Sequence, residues 1–151
     1  MTASRRKLTL EAALAGYILK RVQDGEVAVT TSIVKDEVLI WLSRYRASAL
    51  NSFFRAIRLM TTLKIINPTF ADEQFAIDNF GKYELGLSDL INVSVMKRLG
   101  ISEIYTTDRG YKSAGVKVIF DELKNEPDFS DFIDDLIKKG FKLTFEEYYL
   151  D

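Results

Sequence analysis

Cysteine and histidine are both absent from this sequence. Without cysteine, the chain cannot form disulfides, thiolate zinc sites or cysteine nucleophiles. Without histidine, serine–histidine triads, histidine general bases and imidazole metal ligands are excluded. Proline occurs only 2 times and glycine 8 times, which argues against disorder, collagen-like repeats and flexible linkers. Any enzymatic chemistry therefore depends on carboxylates, hydroxyls, lysine, arginine or a metal ion held by oxygen ligands.

Long hydrophobic runs are absent as well. No stretch approaches the roughly 20 consecutive apolar residues that a membrane helix needs. The N-terminal segment MTASRRKLTLEAALAG lacks the apolar run of a secretory signal. We therefore expect a cytoplasmic protein that does not associate with a membrane.

The charged residues are unevenly distributed along the chain. The 151 residues are 47% hydrophobic and 28% charged, with a formal net charge of −1, which predicts one compact domain over residues 1–151. Residues 1–66 carry 11 Lys/Arg and 5 Asp/Glu (+6), whereas residues 67–151 carry 10 and 17 (−7). The basic half is compatible with binding a polyanion, and also with ordinary solvated charge.

Hydrophobic periodicity predicts helices that alternate with short strands. The predicted helices are residues 9–22, 32–45, 47–63, 69–81, 88–99 and 128–139. The predicted strands are residues 26–31, 64–66, 103–107 and 116–120. This order predicts a three-layer α/β/α sandwich with a mostly parallel sheet, to which residues 121–151 add a C-terminal helix and an extended segment.

Ligands bind near the carboxyl ends of strands in such folds, and three carboxylates lie either at a strand end or on an apolar helix face. Glu37 shares a helical stripe with Val34 and Trp41, and is therefore predicted to face the interior. A buried ionised carboxylate needs a cation, a metal ion or hydrogen-bond donors as partners. The alternative is a carboxylate at the rim of this stripe, bonded to a neighbouring Arg or amide.

Asp89 and Asp108 are the other two carboxylates. Asp89 lies in the first turn of a predicted helix, on the same side as Val93 and Met96, although acids in first turns also serve as dipole complements. Asp108 directly follows the strand EIYTT, and TDRG is also ordinary turn chemistry. Taken together, the three acids occupy corresponding ends of consecutive elements, which predicts that they converge.

Three segments, TSIVKDEVL, LSDLINVSVMKRLGISEIYTTDRGY and GVKVIF, resemble the PIN domain family, particularly its toxin–antitoxin members. The positions that carry the resemblance are Thr31, Glu37, Asp89, Leu99, Gly100, Thr106, Asp108 and Tyr111. The resemblance implies the α/β/α fold and cleavage of RNA that depends on Mg²⁺ or Mn²⁺ bound by acidic residues. Such hard cations prefer oxygen ligands, so the chemistry suits a chain without histidine. For toxin members, it also implies inhibition by an antitoxin protein.

The resemblance implies that Glu37, Asp89 and Asp108 are catalytic and bind the metal, and that Thr106 bonds an acid or a metal-bound water. Thr106 is also an ordinary strand residue. The candidates for phosphate contacts, or for solvated helix faces, are Arg44, Arg46, Arg55 and Arg58. The predicted function is a metal-dependent ribonuclease, with RNA as substrate and an antitoxin or a second copy of the chain as candidate partners. The alternative is a PIN-like RNA- or protein-binding module that has lost catalysis.

The sequence departs from the family at its beginning. Family members start with a central strand that ends in Asp, whereas this chain is predicted to begin near the first helix. Because an empty central position would leave backbone groups unpaired, we expect another segment to fill it. The last residues, EEYYLD, resemble the family's first strand. We hypothesise a circular permutation in which residues 148–150 form the central strand and Asp151 stands for the first catalytic Asp.

Two features argue against this permutation. Glu146 and Glu147 are poor residues for a buried strand, and the Thr-Asn pair that follows the family's first Asp is missing. The alternative is an acidic tail that packs at the edge of the sheet or against a partner chain.

Overall fold

A computed structural model describes residues 6–144 of the chain. The helices are α1 (Leu10–Gln23), α2 (Ser32–Tyr45), α3 (Leu50–Leu59), α4 (Phe70–Asn79), α5 (Leu87–Leu99) and α6 (Pro127–Lys138). The strands are β1 (Arg6–Thr9), β2 (Ala28–Thr31), β3 (Leu63–Ile66), β4 (Glu103–Tyr105), β5 (Lys117–Ile119) and β6 (Phe141–Thr144). Short 3₁₀ helices lie at Ala47–Ala49, Arg109–Ala114 and Asp121–Asn125. The predicted α/β class is confirmed.

The strands pair two by two. β1 pairs with β6 and β2 pairs with β3, both in parallel, and β4 pairs with β5. In the β2–β3 pair, Ala28 lies opposite Leu63 and Thr31 opposite Ile66. Where the sequence predicted one mostly parallel sheet, the described residues form these three two-stranded sheets.

The strand β1 corrects the expectation that the chain begins near its first helix. Its four residues have neither a β-branched run nor a clear alternation, so the local pattern does not reveal a strand. They are extended because they pair with β6, near the other end of the described chain. The strand ends in Thr9 rather than in an Asp, and the Thr9 hydroxyl caps α1 by accepting a hydrogen bond from the Ala12 backbone N–H at 3.1 Å.

The described residues form two compact units, one of residues 6–24 and 119–144 and the other of residues 25–118. In the first unit, Tyr17 is buried and packs edge-on against Phe129, with ring centroids 5.4 Å apart. Its hydroxyl donates a hydrogen bond of 2.6 Å to Glu126. Burial and this hydrogen bond raise the pKa of Tyr17 to about 12. One domain over residues 1–151 stays a prediction.

Helix α5 forms the centre of the second unit. Leu90 and Val93 are fully buried and pack with Ala76 of α4 and with Val116. Gly100, at φ 71°, ends the helix in the left-handed conformation that glycine adopts without strain. This end of the helix matches the stop predicted from the sequence.

A buried carboxylate joins α4 to α5. Asp72 caps α4 together with Thr69 and accepts hydrogen bonds of 2.9 Å from Ser94 and from Arg98 of α5. Burial alone would raise the pKa of Asp72, but the hydrogen bonds from Arg98, Thr69 and Ser94 outweigh burial and hold it well below its usual range. The carboxylate therefore stays ionised inside the protein.

Other predicted elements differ from the structure in their ends. The helix predicted at residues 47–63 is a 3₁₀ turn followed by α3, which stops at Leu59 because Met60 is extended and Leu63 enters β3. Within residues 6–144, no helix combines the length and the apolar character that crossing a bilayer requires. The hypothesised strand at residues 148–150 and the candidate Asp151 lie outside the described residues.

Candidate functional site

The described candidate site residues line one cavity of about 720 Å³ in the unit of residues 25–118. Glu37 comes from α2, Asp89 from the first turn of α5, and Thr106 and Asp108 from the segment after β4. The structure thus brings these four residues to the same cavity, although they are up to 71 positions apart in the sequence.

The walls of this cavity are formed by strand edges and one helix face. Residues 26–31 and 101–106 line it without interruption. Because successive side chains of a strand point to opposite faces, an uninterrupted lining means that the edges of β2 and β4 face the cavity. Asp89, Asn92 and Met96 of α5 also line it, at the spacing of one helix face.

A chain of hydrogen bonds fixes Asp89 at the edge of the cavity. The Tyr111 hydroxyl donates to Asp89 Oδ1 at 2.9 Å and accepts from the Asn92 side-chain amide at 3.4 Å. Asn92 in turn accepts a hydrogen bond of 2.6 Å from the Thr31 hydroxyl. Thr31 is the N-cap of α2, the helix that carries Glu37. These hydrogen bonds therefore link α2 to α5, the two helices that bear Glu37 and Asp89.

The phenol of Tyr111 remains a hydrogen-bond donor over the physiological pH range. Tyr111 is only 4% exposed, and burial raises its pKa far above its ordinary value, reinforced by the hydrogen bond to Asp89 and opposed by the one from Asn92. One oxygen of Asp89 is thus committed to the phenol.

Asp108 has the turn role that its sequence context also predicted. Its Oδ1 accepts a hydrogen bond of 2.8 Å from the Gly110 backbone N–H, and its own N–H donates to the Thr106 hydroxyl at 3.1 Å. Gly110 is required here, because a Cβ would clash with the backbone oxygen of Glu84. The side chain of Asp108 is exposed at the cavity.

The prediction that Glu37 lies in a buried stripe is wrong. Glu37 is exposed, and so are Val34, Trp41 and Tyr45 on the same side of α2. The only buried residue of this helix is Leu42. The periodicity correctly grouped these residues on one side, but a helical pattern does not tell which side packs against the protein.

The donor types around the cavity suit a hard divalent cation, because carboxylate and hydroxyl oxygens are the ligands that Mg²⁺ and Mn²⁺ prefer. The arrangement of the side chains does not form a ligand set, since within residues 6–144 no three carboxylates lie close enough together to hold a metal ion. The three acids therefore share a cavity, as predicted, but within the described residues they do not lie close enough together to share one ion.

Sequence reasoning missed the polar chain behind Asp89. The sequence pattern gives Tyr111 only as an aromatic position and does not include Asn92. Asn92 interrupts the apolar run LINVSV three residues after Asp89, so it lies on the same helix face. That spacing is the one signal in the sequence that indicates the role of Asn92.

Comparison with known proteins agrees with this architecture. The family model of the PIN domain matches residues 6–117. Among solved structures, the crystal structure of Mycobacterium tuberculosis VapC20, described as a sarcin–ricin loop cleaving toxin, is similar with a TM-score of 0.56 and 24% sequence identity, over 67% of this chain and 82% of that chain. The search of curated proteins found no significant match. Because the family model covers well over half of the sequence, the chain belongs to the PIN domain family.

Proposed function

We propose that this protein is a metal-dependent ribonuclease that hydrolyses phosphodiester bonds of RNA. The observation that carries the proposal is one cavity of a PIN domain that Glu37, Asp89 and Asp108 all line from different elements. The similar protein VapC20 is described as a sarcin–ricin loop cleaving toxin.

In this proposal the acids and Thr106 act together. Glu37, Asp89 and Asp108 share the cavity without forming a ligand set on their own, and they would close on the cation, Mg²⁺ or Mn²⁺, when it binds. Thr106 would orient one of these acids or a bound water. The chemistry that a bound ion would supply is activation of a water molecule and stabilisation of the leaving oxygen. Tyr111 keeps one oxygen of Asp89 occupied, so the other oxygen is left for the ion. Asp151 is proposed as an additional acid of the same site.

The likeness to VapC20 also supports a biological setting. We propose that the protein is the toxin of a toxin–antitoxin pair, held inactive by an antitoxin protein. Association into a homodimer stays a prediction.

The test is cleavage of structured RNA with Mn²⁺, with and without a chelator. The wild-type protein is expected to cleave only when the metal is present, and Asp89→Asn or Asp108→Asn is expected to abolish cleavage and weaken Mn²⁺ binding measured by calorimetry. Asp36→Asn is the matched control, because Asp36 is an exposed acid beside Glu37 that pairs with Lys35 at 3.1 Å. Equal loss of activity in all three variants would contradict the assigned roles.

The second candidate function is a binding module that has lost catalysis. The observation in its favour is that no three carboxylates in the described part of the chain gather around one point. A wild-type protein that binds RNA but neither binds Mn²⁺ nor cleaves RNA would establish this alternative.

A further inference from the structure

The cavity of the unit of residues 25–118 contains two strand edges that have no partner strand within residues 6–144. β2 pairs only with β3 and β4 only with β5, whereas residues 26–31 and 101–106 line the cavity without interruption. The Tyr105 hydroxyl donates to Glu26 Oε1 at 3.2 Å, so the two edges are connected there through long side chains. At roughly 3.3 Å per residue, each edge is about 20 Å long. An edge of this kind is a template on which another strand can pair.

The hydrogen bonds of the two strand pairs show which backbone groups point into the cavity. The Ala28 N–H donates to the Thr62 carbonyl at 3.0 Å, so the backbone groups of Ala28 face β3. Because successive residues of a strand direct their N–H and C=O groups to opposite edges, those of Val29 face the cavity. In the same way, the Ser102 carbonyl accepts from the first N–H of β5 at 2.9 Å, so the backbone groups of Glu103 face the cavity. Both edges therefore offer a donor and an acceptor at every second residue.

The lining of the cavity combines apolar side chains with charge of one sign. The apolar lining residues include Val29, Val34, Val95, Met96, Ile101 and Ile104. Five carboxylates also line the cavity, and none of the described lysines or arginines does. These carboxylates are Glu26, Glu37, Asp89, Glu103 and Asp108. The cavity therefore suits an extended ligand that carries apolar side chains and positive charge.

We propose that the slot between residues 26–31 and residues 101–106 binds an extended segment of another protein by β-strand addition. The occupant is about six residues long, with apolar side chains and with Lys or Arg at its ends. Main-chain hydrogen bonds to the two edges supply the affinity, and the apolar walls and the carboxylates select the side chains. A nucleotide chain does not present donors and acceptors at a two-residue repeat, so the occupant is a polypeptide. The inference goes beyond the proposed function, because it needs neither a metal ion nor RNA.

The last residues of the chain itself are the competing occupant. Residues 145–151 contain Glu146, Glu147 and Asp151 and no basic residue. In a cavity lined by five carboxylates, these acids meet like charge, which opposes binding, whereas a basic segment of another protein gains from the same carboxylates. We therefore expect the partner segment to bind the slot more tightly than residues 145–151 do.

The test uses a fluorescently labelled synthetic peptide, acetyl-Arg-Val-Thr-Val-Ile-Lys-amide, added to the full chain in EDTA. We expect a saturable rise in anisotropy, together with slower hydrogen exchange at the Val29 and Glu103 amides measured by NMR. The same peptide N-methylated at alternate residues keeps its side chains but cannot pair along one edge, and it should bind at least about tenfold more weakly. A peptide with Glu in place of its Arg and Lys should also bind more weakly, by a margin that shrinks as salt is added.

Two proline substitutions in the same strand pair separate the slot from the opposite edge. Val29→Pro removes an N–H that faces the slot and leaves the hydrogen bonds of β2 to β3 in place, so peptide binding should weaken about tenfold. Ile65→Pro is the matched control. Because Ala28 lies opposite Leu63 and bonds to the residues on either side of it, the N–H of Lys64 faces β2 and that of Ile65 faces the outer edge of β3. Ile65 does not line the cavity, and this variant should bind the peptide within about twofold of wild type. If either proline variant fails to fold, the N-methylated peptide makes the same comparison on the wild-type protein.

Three results would overturn the inference. The first is the absence of saturable binding by the full chain; a Val29 amide already protected before the peptide is added would then identify residues 145–151 as the occupant. The second is equal binding of the N-methylated peptide, which would show adsorption to the apolar walls without strand pairing. The third is binding that leaves hydrogen exchange at Val29 and Glu103 unchanged, which would place the peptide elsewhere. Because binding is read in EDTA, a protein that cleaves RNA without binding the peptide refutes only this inference.

Discussion

The hydroxyl of Tyr111 has the most consequential position among the individual residues. It connects Asp89 at the cavity to Asn92 in the buried face of α5, and Asn92 connects to the cap of α2. A buried polar chain of this kind stabilises the fold only when every member is satisfied. Here each member has a partner, since no buried side-chain nitrogen or oxygen in the described part of the chain lacks one.

Replacing Tyr111 by Phe keeps the packed ring and removes only this hydroxyl. Because hydrogen bonds to charged groups contribute more than neutral ones, we expect the free energy of unfolding to fall by about 1.5–3 kcal/mol in urea denaturation. Tyr83→Phe is the matched control, because Tyr83 packs against the same core but makes no hydrogen bond through its hydroxyl within residues 6–144. Equal effects of the two substitutions would show that the hydroxyl of Tyr111 does not stabilise the fold.

Helix pairs, rather than sheets, hold the second unit together. The packing of α4 on α5 is built from small and branched side chains around Ala76, Leu90 and Val93. Asp72 adds directional hydrogen bonds to this packing. It caps its own helix, α4, and accepts hydrogen bonds from two side chains of α5. The strands are only three or four residues long, so the helices supply most of the buried apolar area.

Asp72→Asn tests this contact between α4 and α5. The substitution breaks a buried ion pair and is expected to cost roughly 3 kcal/mol in the free energy of unfolding near pH 7. Because the pKa of Asp72 is lowered in the folded protein from its ordinary value of 3.8, its contribution is present above about pH 4 and declines as the pH falls below that value. The stability difference between wild type and variant should therefore narrow in acid.

The control for this substitution is on the same helix. Asp78 is exposed and accepts a hydrogen bond of 2.9 Å from Gln74 one turn earlier. Asp78→Asn should change the free energy of unfolding by less than about 0.5 kcal/mol. The role of the carboxylate would be contradicted if the difference in the free energy of unfolding between wild type and Asp72→Asn stayed constant from pH 7 to pH 3.

At the scale of the whole molecule, the prediction concerns the central strand. The edges of β2 and β4 face the cavity, and within residues 6–144 each of these strands pairs with only one neighbour. A parallel strand ending at this place would bring its last residue to the carboxylates. The hypothesised strand of residues 148–150 followed by Asp151 has that pattern, and it stays a prediction.

Deleting residues 148–151 tests the permutation. If these residues form the central strand, the truncated protein should lose its cooperative thermal transition, because two strand edges would lose their partner. Asp151→Asn is the companion variant, since it removes the charge and keeps the strand, and it should leave the melting temperature nearly unchanged. A truncated protein that melts like the full chain would reject the permuted strand.

The sequence by itself determined the elements whose signals are local. Periodic apolar residues and capping residues located α1, α2, α4, α5 and α6, Gly100 ended α5, and the segments around Glu37, Asp89 and Asp108 identified the family. The absence of histidine and cysteine restricted the chemistry to oxygen ligands. These features depend on residues within a few positions of each other, so they can be predicted from the sequence.

Tertiary structure alone decided what depends on distant partners. β1 exists because it pairs with β6, and no pattern within four residues encodes a partner so far along the chain. The stripe of Glu37, Trp41 and Tyr45 faces solvent because the packed side of α2 is the one that carries Leu42, and periodicity gives the grouping of side chains but not the side that is covered. The hydrogen bond from Tyr111 to Asp89 joins residues 22 positions apart, and only the folded chain brings them within 3 Å of each other.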